Sequence, residues 1–294
     1  MQPDTSRAGF GTALTLLGLL GVAGLLPLTW SQTSPQTSIQ ASSETSHQAS
    51  SETSHQAGSQ NRDQSAGIGT NAEFHFIRLE YVSQSWIRGR LGRPWWSLDW
   101  PAAETHFAQG LRRLTEIDTG EGRLVPLTDD RVFDYPWIYA TQVGYWQLGD
   151  DETGRLREYL LRGGFLVVDD FYGPEQWSVF RESMKRVFPE RAIVEISEQS
   201  AVLHVLYDLD QRTQIPGLRH LRRGPGGEIV VEPQETGPRW RGIYDDEGRL
   251  LVAVNFNMDI GDAWEHADMP EYPEPMTALA YRFGINYIIY AMTH

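Results

Sequence analysis

The sequence predicts an α/β domain of three layers, built around a mostly parallel central sheet of the doubly wound type. Two runs rich in valine and leucine, 165–168 and 250–254, have the composition of strands that are buried on both faces. Each run is followed by acid or amide side chains, and open α/β sheets bind ligands just beyond the carboxyl ends of their strands. Strand-like and helix-like segments alternate through residues 73–294, which predicts a single domain there.

The first elements of this domain are predicted to be a strand, a helix and a second strand. Residues 74–82 are mostly apolar and β-prone, which is typical of a strand. Asp99 is expected to cap a helix that ends near Leu114, because aspartate is favoured at the N-cap and a proline follows two positions later. A turn and then a strand are predicted for residues 131–140.

The middle of the domain has the order helix, glycine pair, strand, helix. The first helix should end at Gly163 and Gly164, because glycine tolerates the left-handed conformation that ends many helices. The strand 165–168 follows, and Gly173 with Pro174 opens a second helix to about Val187. The start of the first helix is expected at one of three capping side chains, Asp150, Asp151 or Thr153.

The last third is less regular until the final helix. A strand is predicted for residues 191–196, and residues 201–206 fit either a strand or a loop. Prolines and glycines mark residues 216–233 as an irregular insertion. Residues 244–249 form a predicted hairpin-like turn into the strand at 250, and a helix should run from about residue 274 to the C-terminus.

Residues 1–30 are predicted to be a transmembrane anchor or a signal peptide. Residues 8–30 carry no charge and would span roughly 34 Å as a helix, enough for a bilayer core of about 30 Å. Arg7 precedes them and the next Lys or Arg is Arg62, which favours an exported domain. The length of the segment and the lack of an A-x-A-like site favour a single-pass anchor over secretion after cleavage.

Residues 31–72 are predicted to be a disordered linker. They are rich in Ser, Thr, Gln and Gly, and the octapeptide at 41–48 is repeated at 49–56. Such a segment buries too little apolar surface to offset the entropy of its chain. The folded domain is therefore expected to sit clear of the membrane surface.

Composition excludes several classes of site. The chain has no cysteine, so disulfides, a cysteine nucleophile, thiolate-bound zinc and iron–sulfur clusters are ruled out. The formal net charge of −14 leaves no basic stripe for phosphates, so no nucleic-acid partner is expected. No cofactor is predicted, and a divalent metal has no matching sequence motif.

Asp169 and Asp170 are the first candidate ligand-binding residues, because they end a predicted central strand. Side chains alternate along a strand, so only one of the two is expected on a given face of the sheet. A carboxylate there could ligate a metal, act as a general base or accept hydrogen bonds from a sugar or peptide. The structural alternative is that it accepts hydrogen bonds from backbone N–H groups of the next loop or helix.

A second candidate group follows the other strand run. Its oxygen-bearing side chains are Asn255, Asn257, Asp259, Asp262 and Glu265. Their spacing resembles a calcium-binding loop, but Ile260 stands where that loop needs glycine and His266 where it needs glutamate. The alternatives are a non-standard metal site and a polar loop that hydrogen-bonds its own backbone.

Two further features have both a functional and a structural interpretation. His204 lies in the apolar segment 201–206, where a histidine is either a ligand or base, or a core residue with satisfied hydrogen bonds. Tryptophans at positions 86, 95, 96 and 100 could form an aromatic platform for a glycan or peptide, or could pack against the next helix. No G-x-S-x-G elbow, P-loop or H-E-x-x-H motif supports a hydrolase or nucleotidase.

Two motifs resemble those of a known bacterial family. Residues 255–265 resemble its N-x-N-D-x-G-D-x-W-E signature, which adds Trp264 to the candidate residues, and residues 280–294 resemble its A-x-R-x-G-x-N-x-x-x-Y-A-x-T-H ending. Residues 163–165 with the aspartate pair also fit. The family is domain of unknown function 4159, and the resemblance covers about residues 74–294.

The resemblance implies a fold similar to that of class I glutamine amidotransferases, a flavodoxin-like three-layer sandwich, but no established activity. The nucleophile of those enzymes is a cysteine, so a chain without cysteine is not a glutaminase. Residues 201–208 are similar to the family's H-P-x-F-H-x-x-Y-D stretch but lack its first His and Pro. His204 therefore has no paired histidine there.

Two functional hypotheses follow. The first is a non-catalytic binding or assembly module, tethered to the outer side of the cytoplasmic membrane, whose crevice takes a protein or glycan partner. The second is a hydrolase or transferase in which Asp169 or Asp170 acts as a base, assisted by a divalent metal.

Overall fold

The computed structural model describes residues 72–84, 92–209, 213–232 and 239–294. The predicted membrane helix at 8–30 and, apart from Ala72, the predicted linker at 31–72 lie outside these residues. None of the helices within the described ranges is both long and apolar enough to cross a bilayer.

A mixed sheet of seven strands forms the centre of the domain, and a separate two-stranded hairpin lies outside it. In chain order the strands are β1 (Ile77–Glu80), β2 (Arg123–Pro126), β3 (Trp137–Thr141), β4 (Phe165–Phe171), β5 (Val194–Glu195), β6 (Leu221–Arg223), β7 (Ile229–Val231), β8 (Arg239–Tyr244) and β9 (Leu250–Phe256). The α-helices are α1 (Ala102–Leu114), α2 (Asp150–Leu161), α3 (Gly173–Val187), α4 (Ile260–Glu265) and α5 (Glu274–Thr293). The hairpin is formed by β6 and β7.

The sheet has the order β2-β1-β3-β4-β9-β8-β5. The first five strands are parallel, whereas β8 and β5 run antiparallel to their neighbours. The predicted mostly parallel sheet is therefore confirmed. The two apolar runs of the sequence are adjacent strands, since β4 and β9 pair with Val168 opposite Val254.

Two apolar cores lie on opposite faces of the sheet because side chains alternate along each strand. Trp137 and Tyr139 of β3 pack in one core with residues of α1, α4 and α5. Ile138 and Ala140 of the same strand pack in the other core with residues of α2 and α3. Each fully buried large apolar side chain contributes about 1.5–3 kcal/mol to folding, so these cores are the main source of stability.

Most of the predicted elements in the described residues are confirmed. Helix α2 begins at Asp150 and is followed by Gly163 at a φ of +110°, which only glycine adopts readily. Helix α3 begins at Gly173 and ends at Val187, and helix α5 begins at Glu274, as the sequence predicted.

Other predictions are wrong in detail. Asp99 does not cap α1, because the helix begins at Ala102 and Pro101 is its N-cap. The carbonyl of Asp99 accepts a hydrogen bond from Ala103 N at 2.9 Å, and the φ of Asp99, +63°, is not a helical value. Strand β5 has only two residues, because it pairs with β8 alone at the edge of the sheet. Residues 201–203 form a 3-10 turn, so this part of the segment is not a strand, one of the two structures that the sequence allowed. Strands β2 and β8 and helix α4 were not predicted, and the predicted irregular insertion at 216–233 contains the β6–β7 hairpin.

Candidate functional site at the carboxyl edge

Both polar clusters of the sequence lie at the carboxyl ends of adjacent strands. Asp169 and Asp170 are the fifth and sixth of the seven residues of β4, and Asn255 is the sixth of the seven residues of β9. The pairing of β4 with β9 shifts register between Val168 and Phe171, which is a bulge at the two aspartates. The sequence predicted each cluster at the end of a strand, and the bulge was not predictable from it.

Asp169 is fully buried and is held by one of its two carboxylate oxygens. Its Oδ2 accepts hydrogen bonds from Tyr139 Oη at 2.7 Å, Ile260 N at 2.8 Å and Gly261 N at 3.1 Å. The two backbone donors are at the start of α4, where the helix dipole also favours a negative charge. Its Oδ1 is buried and meets no hydrogen-bond donor among the described residues.

Asp170 is also buried, and the bulge turns its backbone to a φ of +51°. Its Oδ1 accepts a hydrogen bond from Arg219 Nη2 at 2.9 Å, and its Oδ2 accepts one from Gln142 Nε2. Gln142 follows β3 and also has a positive φ, of +54°. Positive φ is uncommon for residues other than glycine and clusters at functional sites, so this edge is a candidate site on backbone geometry alone.

Asp259 caps helix α4, and Asp262 of that helix binds the backbone at Leu218. Asp259 Oδ1 accepts a hydrogen bond from Asp262 N at 2.9 Å, which satisfies a free N–H at the helix start. Asp262 Oδ2 accepts one from Leu218 N at 2.7 Å. The polar loop of the sequence-based alternative is thus a short capped helix. Asp259 bonds to the backbone of this helix, as that alternative proposed, whereas Asp262 bonds to the backbone of a different segment.

Asp99 joins two of these acids in a compact group. One carboxylate oxygen from each of Asp99, Asp170 and Asp259 lies within 4.8 Å of those of the other two. Asp99 is part-exposed as a residue, but its Oδ2 is buried and has no hydrogen-bond donor in the described ranges. We call these three residues the acidic triad.

Burial and mutual repulsion raise the pKa values of these acids. Burial raises the pKa of Asp169 to about 7, with Asp170 adding repulsion and the Tyr139 hydrogen bond opposing the rise. Burial raises the pKa of Asp170 to about 6, against the attraction of Arg219. The pKa values of Asp99 and Asp259 are raised well above the usual range, again by burial first and then by neighbouring carboxylates. The site therefore binds protons more tightly than free aspartates do.

An aromatic and basic surface covers the triad. Arg219 lies 4.6 Å from the ring centroid of Tyr172, and the rings of Tyr172 and His220 are 4.7 Å apart. The Arg219 side chain is 45% exposed while its guanidinium reaches the buried Asp170. Burial disfavours the charge of Arg219, but attraction to Asp170 and Asp259 outweighs it and raises the pKa of the guanidinium. We call Tyr172, Arg219 and His220 the edge patch.

The two asparagines have structural partners. Asn257 Oδ1 accepts a hydrogen bond from Gly173 N at 3.1 Å and so ties the end of β9 to the start of α3. Asn255 Oδ1 accepts one from Tyr287 Oη at 2.9 Å, while its Nδ2 is buried and meets no acceptor in the described part of the chain. Asn255 and Asn257 thus lie at the carboxyl end of β9, and their role as ligand-binding residues stays a prediction.

The remaining predicted residues divide between the edge and other regions. Glu265 forms a second group with Asp262 and His266 on the surface of α4, again with ligand atoms within 4.8 Å. Trp264 is fully buried and packs 4.4 Å from the Phe107 ring, so it belongs to the core of the α1 face. His204 bonds to Asp208 Oδ1 at 2.9 Å and to Glu198 O at 2.6 Å, in the connection that follows β5.

The tryptophan cluster is only partly within the described residues. Trp86 lies outside them, and Trp95 stacks on Tyr145 with ring centroids 4.0 Å apart. Trp95 and Trp96 pack beside the core on the α2 and α3 face. The contact of Trp95 favours loop packing, since a platform for a ligand would leave the ring face free.

Sequence reasoning missed Asp99, Gln142, Tyr139 and Arg219 as residues of this edge. Asp99 was assigned to a helix cap, and no strand end marks it, because it lies in the long connection between β1 and α1. Tyr139 and Gln142 belong to the end of β3, where the same strand-end argument could have found them. Arg219 gave no signal, because it comes from the irregular segment after residue 213.

Comparison with known proteins identifies the family. The family model described as domain of unknown function (DUF4159) matches residues 75–292. The chain belongs to this family. The matched residues include the whole carboxyl edge of the DUF4159 domain, and the description assigns it no activity. A search of curated proteins found no match to the chain.

Proposed function

We propose that the DUF4159 domain is a non-catalytic binding or assembly module that binds a protein or glycan partner at its carboxyl edge. We also infer that its fold is a flavodoxin-like three-layer sandwich, similar to that of class I glutamine amidotransferases. Numbered along the chain, the five parallel strands have the order 2-1-3-4-5, which is the flavodoxin-like order. In such sheets the binding crevice lies at the carboxyl ends of the strands, where this domain carries the triad.

The observation that carries a binding role is that the strand-end acids are already engaged and covered. Asp169 accepts three hydrogen bonds, and Asp170 lies beneath Arg219. Two cavities, of about 590 and about 330 Å³, are lined by residues other than these acids. A catalytic base must reach its substrate, whereas acids beneath a surface support the shape and charge of that surface.

The edge patch is the part of this surface that a partner would contact. It offers a partly exposed arginine whose guanidinium stacks on a phenol ring, and Arg and Tyr are among the residues most enriched at protein interfaces. Because Asp170 fixes the guanidinium from below, little side-chain entropy is lost when a partner binds. The patch is therefore preorganised for binding.

A photo-crosslinking amino acid tests this role in cells that produce the full chain. Placed at His220, it should give a discrete crosslinked product. The control position is Arg162, which directly follows α2 and has a side chain that is 62% exposed; the same amino acid placed there should give no crosslinked product. Equal labelling at the two positions would contradict a binding surface at the carboxyl edge.

We propose that residues 8–30 anchor the chain in the cytoplasmic membrane and that the domain lies outside the cytoplasm. The support is the uncharged length of that segment and the position of Arg7 before it. An alkaline phosphatase fused after His294 should be active, and a cytoplasm-dependent reporter at the same place should be inactive. The reverse pattern would overturn the export of the domain. A mature chain that lacks residues 1–30 would favour secretion after cleavage.

A hydrolase or transferase is the alternative, and one observation favours it. The raised pKa of Asp169, about 7, suits a group that exchanges a proton near neutral pH. In that case Asp169→Asn would abolish turnover of an ester, amide or phosphoester panel without unfolding the domain. Absence of turnover by the full chain over the panel, with and without divalent metals, would leave the binding role as the better account.

A further inference from the structure

We propose that the acidic triad, Asp99, Asp170 and Asp259, binds one divalent cation of the oxygen-preferring kind, Ca²⁺ or Mg²⁺. This inference goes beyond the proposed binding role and does not rest on it, because the domain itself supplies the ligands. The three side chains come from the β1–α1 connection, the end of β4 and the start of α4, so the cation would join three separate elements.

The spacing of the ligand oxygens fits a single ion. One oxygen from each residue lies within 4.8 Å of the other two. Oxygens on opposite sides of a calcium ion at about 2.4 Å are about 4.8 Å apart, so one ion can contact all three. All the ligands are carboxylate oxygens, which are preferred by Ca²⁺ and Mg²⁺ rather than by softer metals.

A second observation is a fully buried carboxylate oxygen without a donor. Asp169 is 0% exposed, and its Oδ1 meets no hydrogen-bond donor among the described residues. Asp169 and the triad are neighbours at Gly261: the other oxygen of the Asp169 carboxylate, Oδ2, is 3.1 Å from Gly261 N, and Asp99 Oδ2 is 2.9 Å from the place of a Gly261 Cβ. Asp99 Oδ2 is likewise buried without a donor. Unsatisfied buried carboxylate oxygens are costly, and a cation satisfies them.

Two glycines shape this space. A Cβ at Gly261 would also lie 2.8 Å from Tyr139 Oη, and a Cβ at Gly217 would lie 2.7 Å from Asp259 Oδ2. The backbone therefore approaches the carboxylates more closely than any other residue would allow. Such close approach is a frequent use of glycine where a chain surrounds a ligand.

Charge balance points to a divalent rather than a monovalent ion. The triad would carry three negative charges, and Arg219 supplies one positive charge through its contact with Asp170. One divalent cation and one guanidinium neutralise three carboxylates. Asp169 is left out of this count because three hydrogen-bond donors hold its Oδ2, although its Oδ1 has no donor among the described residues. Buried carboxylates without such compensation would repel one another at short range.

The test is calorimetric titration of the purified full chain in detergent, after EDTA treatment and dialysis, with CaCl₂ and with MgCl₂. One of the two ions should bind with a stoichiometry of one per chain. At a concentration about 100 times the Kd it should raise the thermal unfolding midpoint by about 5–10 °C over KCl of equal ionic strength. No heat and no shift with either ion would overturn the proposal.

Two near-isosteric variants locate the ion. Asp99→Asn and Asp259→Asn should each weaken binding by about tenfold or more. Asp246→Asn removes a carboxylate that is 84% exposed and should change nothing, while Glu265→Gln tests the neighbouring surface group of α4. Loss of binding in Glu265→Gln alone would move the ion to that group and overturn the triad.

If the aspartate variants do not fold, terbium luminescence of the unmodified chain tests the site instead. A tryptophan that lies near a bound terbium ion sensitises its luminescence. The Trp264 ring lies 5.8 Å from the Tyr139 ring, and Tyr139 Oη and Asp99 Oδ2 both border Gly261, so terbium in the triad should be sensitised and released by calcium. Terbium that binds without sensitisation, or that calcium does not displace, would contradict the assignment.

Discussion

At the scale of single residues, the site is determined by carboxylates whose burial conflicts with their charge. Four buried or part-buried aspartates share one sheet edge, and their hydrogen-bond donors satisfy only some of the oxygens. Since a charged group without compensation is expensive in a protein interior, protons or a cation must neutralise part of this charge. Two predictions follow from this conflict and from the tight packing around it.

The first prediction concerns pH. The folded-state pKa values of Asp169 and Asp170, about 7 and about 6, exceed the value near 3.9 of an unfolded aspartate, so the folded state binds protons more tightly. In EDTA, these two groups should therefore add most to the free energy of unfolding below about pH 4, and their contribution should be lost as the pH rises through 6 and 7. The loss should be on the order of 3 kcal/mol for each group, measured by urea unfolding.

The matched control for this prediction is Asp246→Asn, on the exposed turn after β8, which should keep the same pH dependence. Asp169→Asn should weaken this pH dependence without abolishing it, because the amide does not titrate in this range whereas Asp170 still does. A stability that rises between pH 5 and pH 8 in the unmodified chain would show that the aspartates are ionised and compensated in the folded state.

The second prediction concerns Gly261. Alanine there would place a Cβ 2.8 Å from Tyr139 Oη and 2.9 Å from Asp99 Oδ2, and overpacking of this kind costs about 1–3 kcal/mol. Gly154→Ala is the matched control, since a Cβ there meets nothing within 4 Å and the position is inside α2. It should stabilise the domain by about 0.5–1 kcal/mol. Equal effects of the two substitutions in thermal unfolding would contradict the close packing at Gly261.

At the scale of elements, the site depends on how strand ends are fixed to the helices that follow. The buried pair of Arg78 in β1 and Glu104 in α1 joins a strand to a helix, with Arg78 Nε donating to Glu104 Oε1 at 2.6 Å. Arg78 Nη1 also donates to Leu98 O at 3.1 Å, next to Asp99. This pair therefore positions the connection that carries one acid of the triad.

Removing one partner of this pair should be costly. Glu104→Gln leaves the Arg78 charge buried without its carboxylate, and breaking a buried pair costs about 3–5 kcal/mol. The surface pair of Arg162 and Glu158 is the control, and Glu158→Gln should cost less than about 0.5 kcal/mol. Chemical denaturation measures both. A loss below about 1 kcal/mol for Glu104→Gln would show that the pair is not needed to hold the β1–α1 connection.

At the scale of the whole molecule, the two cores meet on the central strands. Strands β4 and β9 are buried along their whole lengths and pair with one another, whereas β6 and β7 form a separate hairpin with exposed residues. The opening energy of a segment increases with its buried contacts. The domain should therefore open from its hairpin and its edge strands before its centre.

Hydrogen exchange tests this order. The amide protons of β4 and β9 should exchange slowest and approach the rate of global unfolding, and those of β6 and β7 should exchange fastest among the strands. Mass spectrometry of peptides from the full chain resolves both regions. Comparable protection of the hairpin and the central strands would contradict the hierarchy.

From the sequence alone we could predict the α/β class, the central position of β4 and β9, the main helix boundaries and the place of both acidic clusters at strand ends. These follow from local patterns, because buried strands, helix caps and glycine stops depend on residues close in the chain. It did not reveal β2, β8 or α4, whose short and polar sequences have little periodicity of their own.

Asp99, Gln142 and Arg219 lie 28 to 71 positions from Asp170 in the sequence. They come close to Asp170 at the carboxyl edge because the chain folds. The bulge in β4, which gives Asp170 a φ of +51°, also depends on pairing with β9. The acids were visible in the sequence because each ends a local pattern. Their shared burial was not visible, because charge compensation is decided by groups that only the fold makes neighbours.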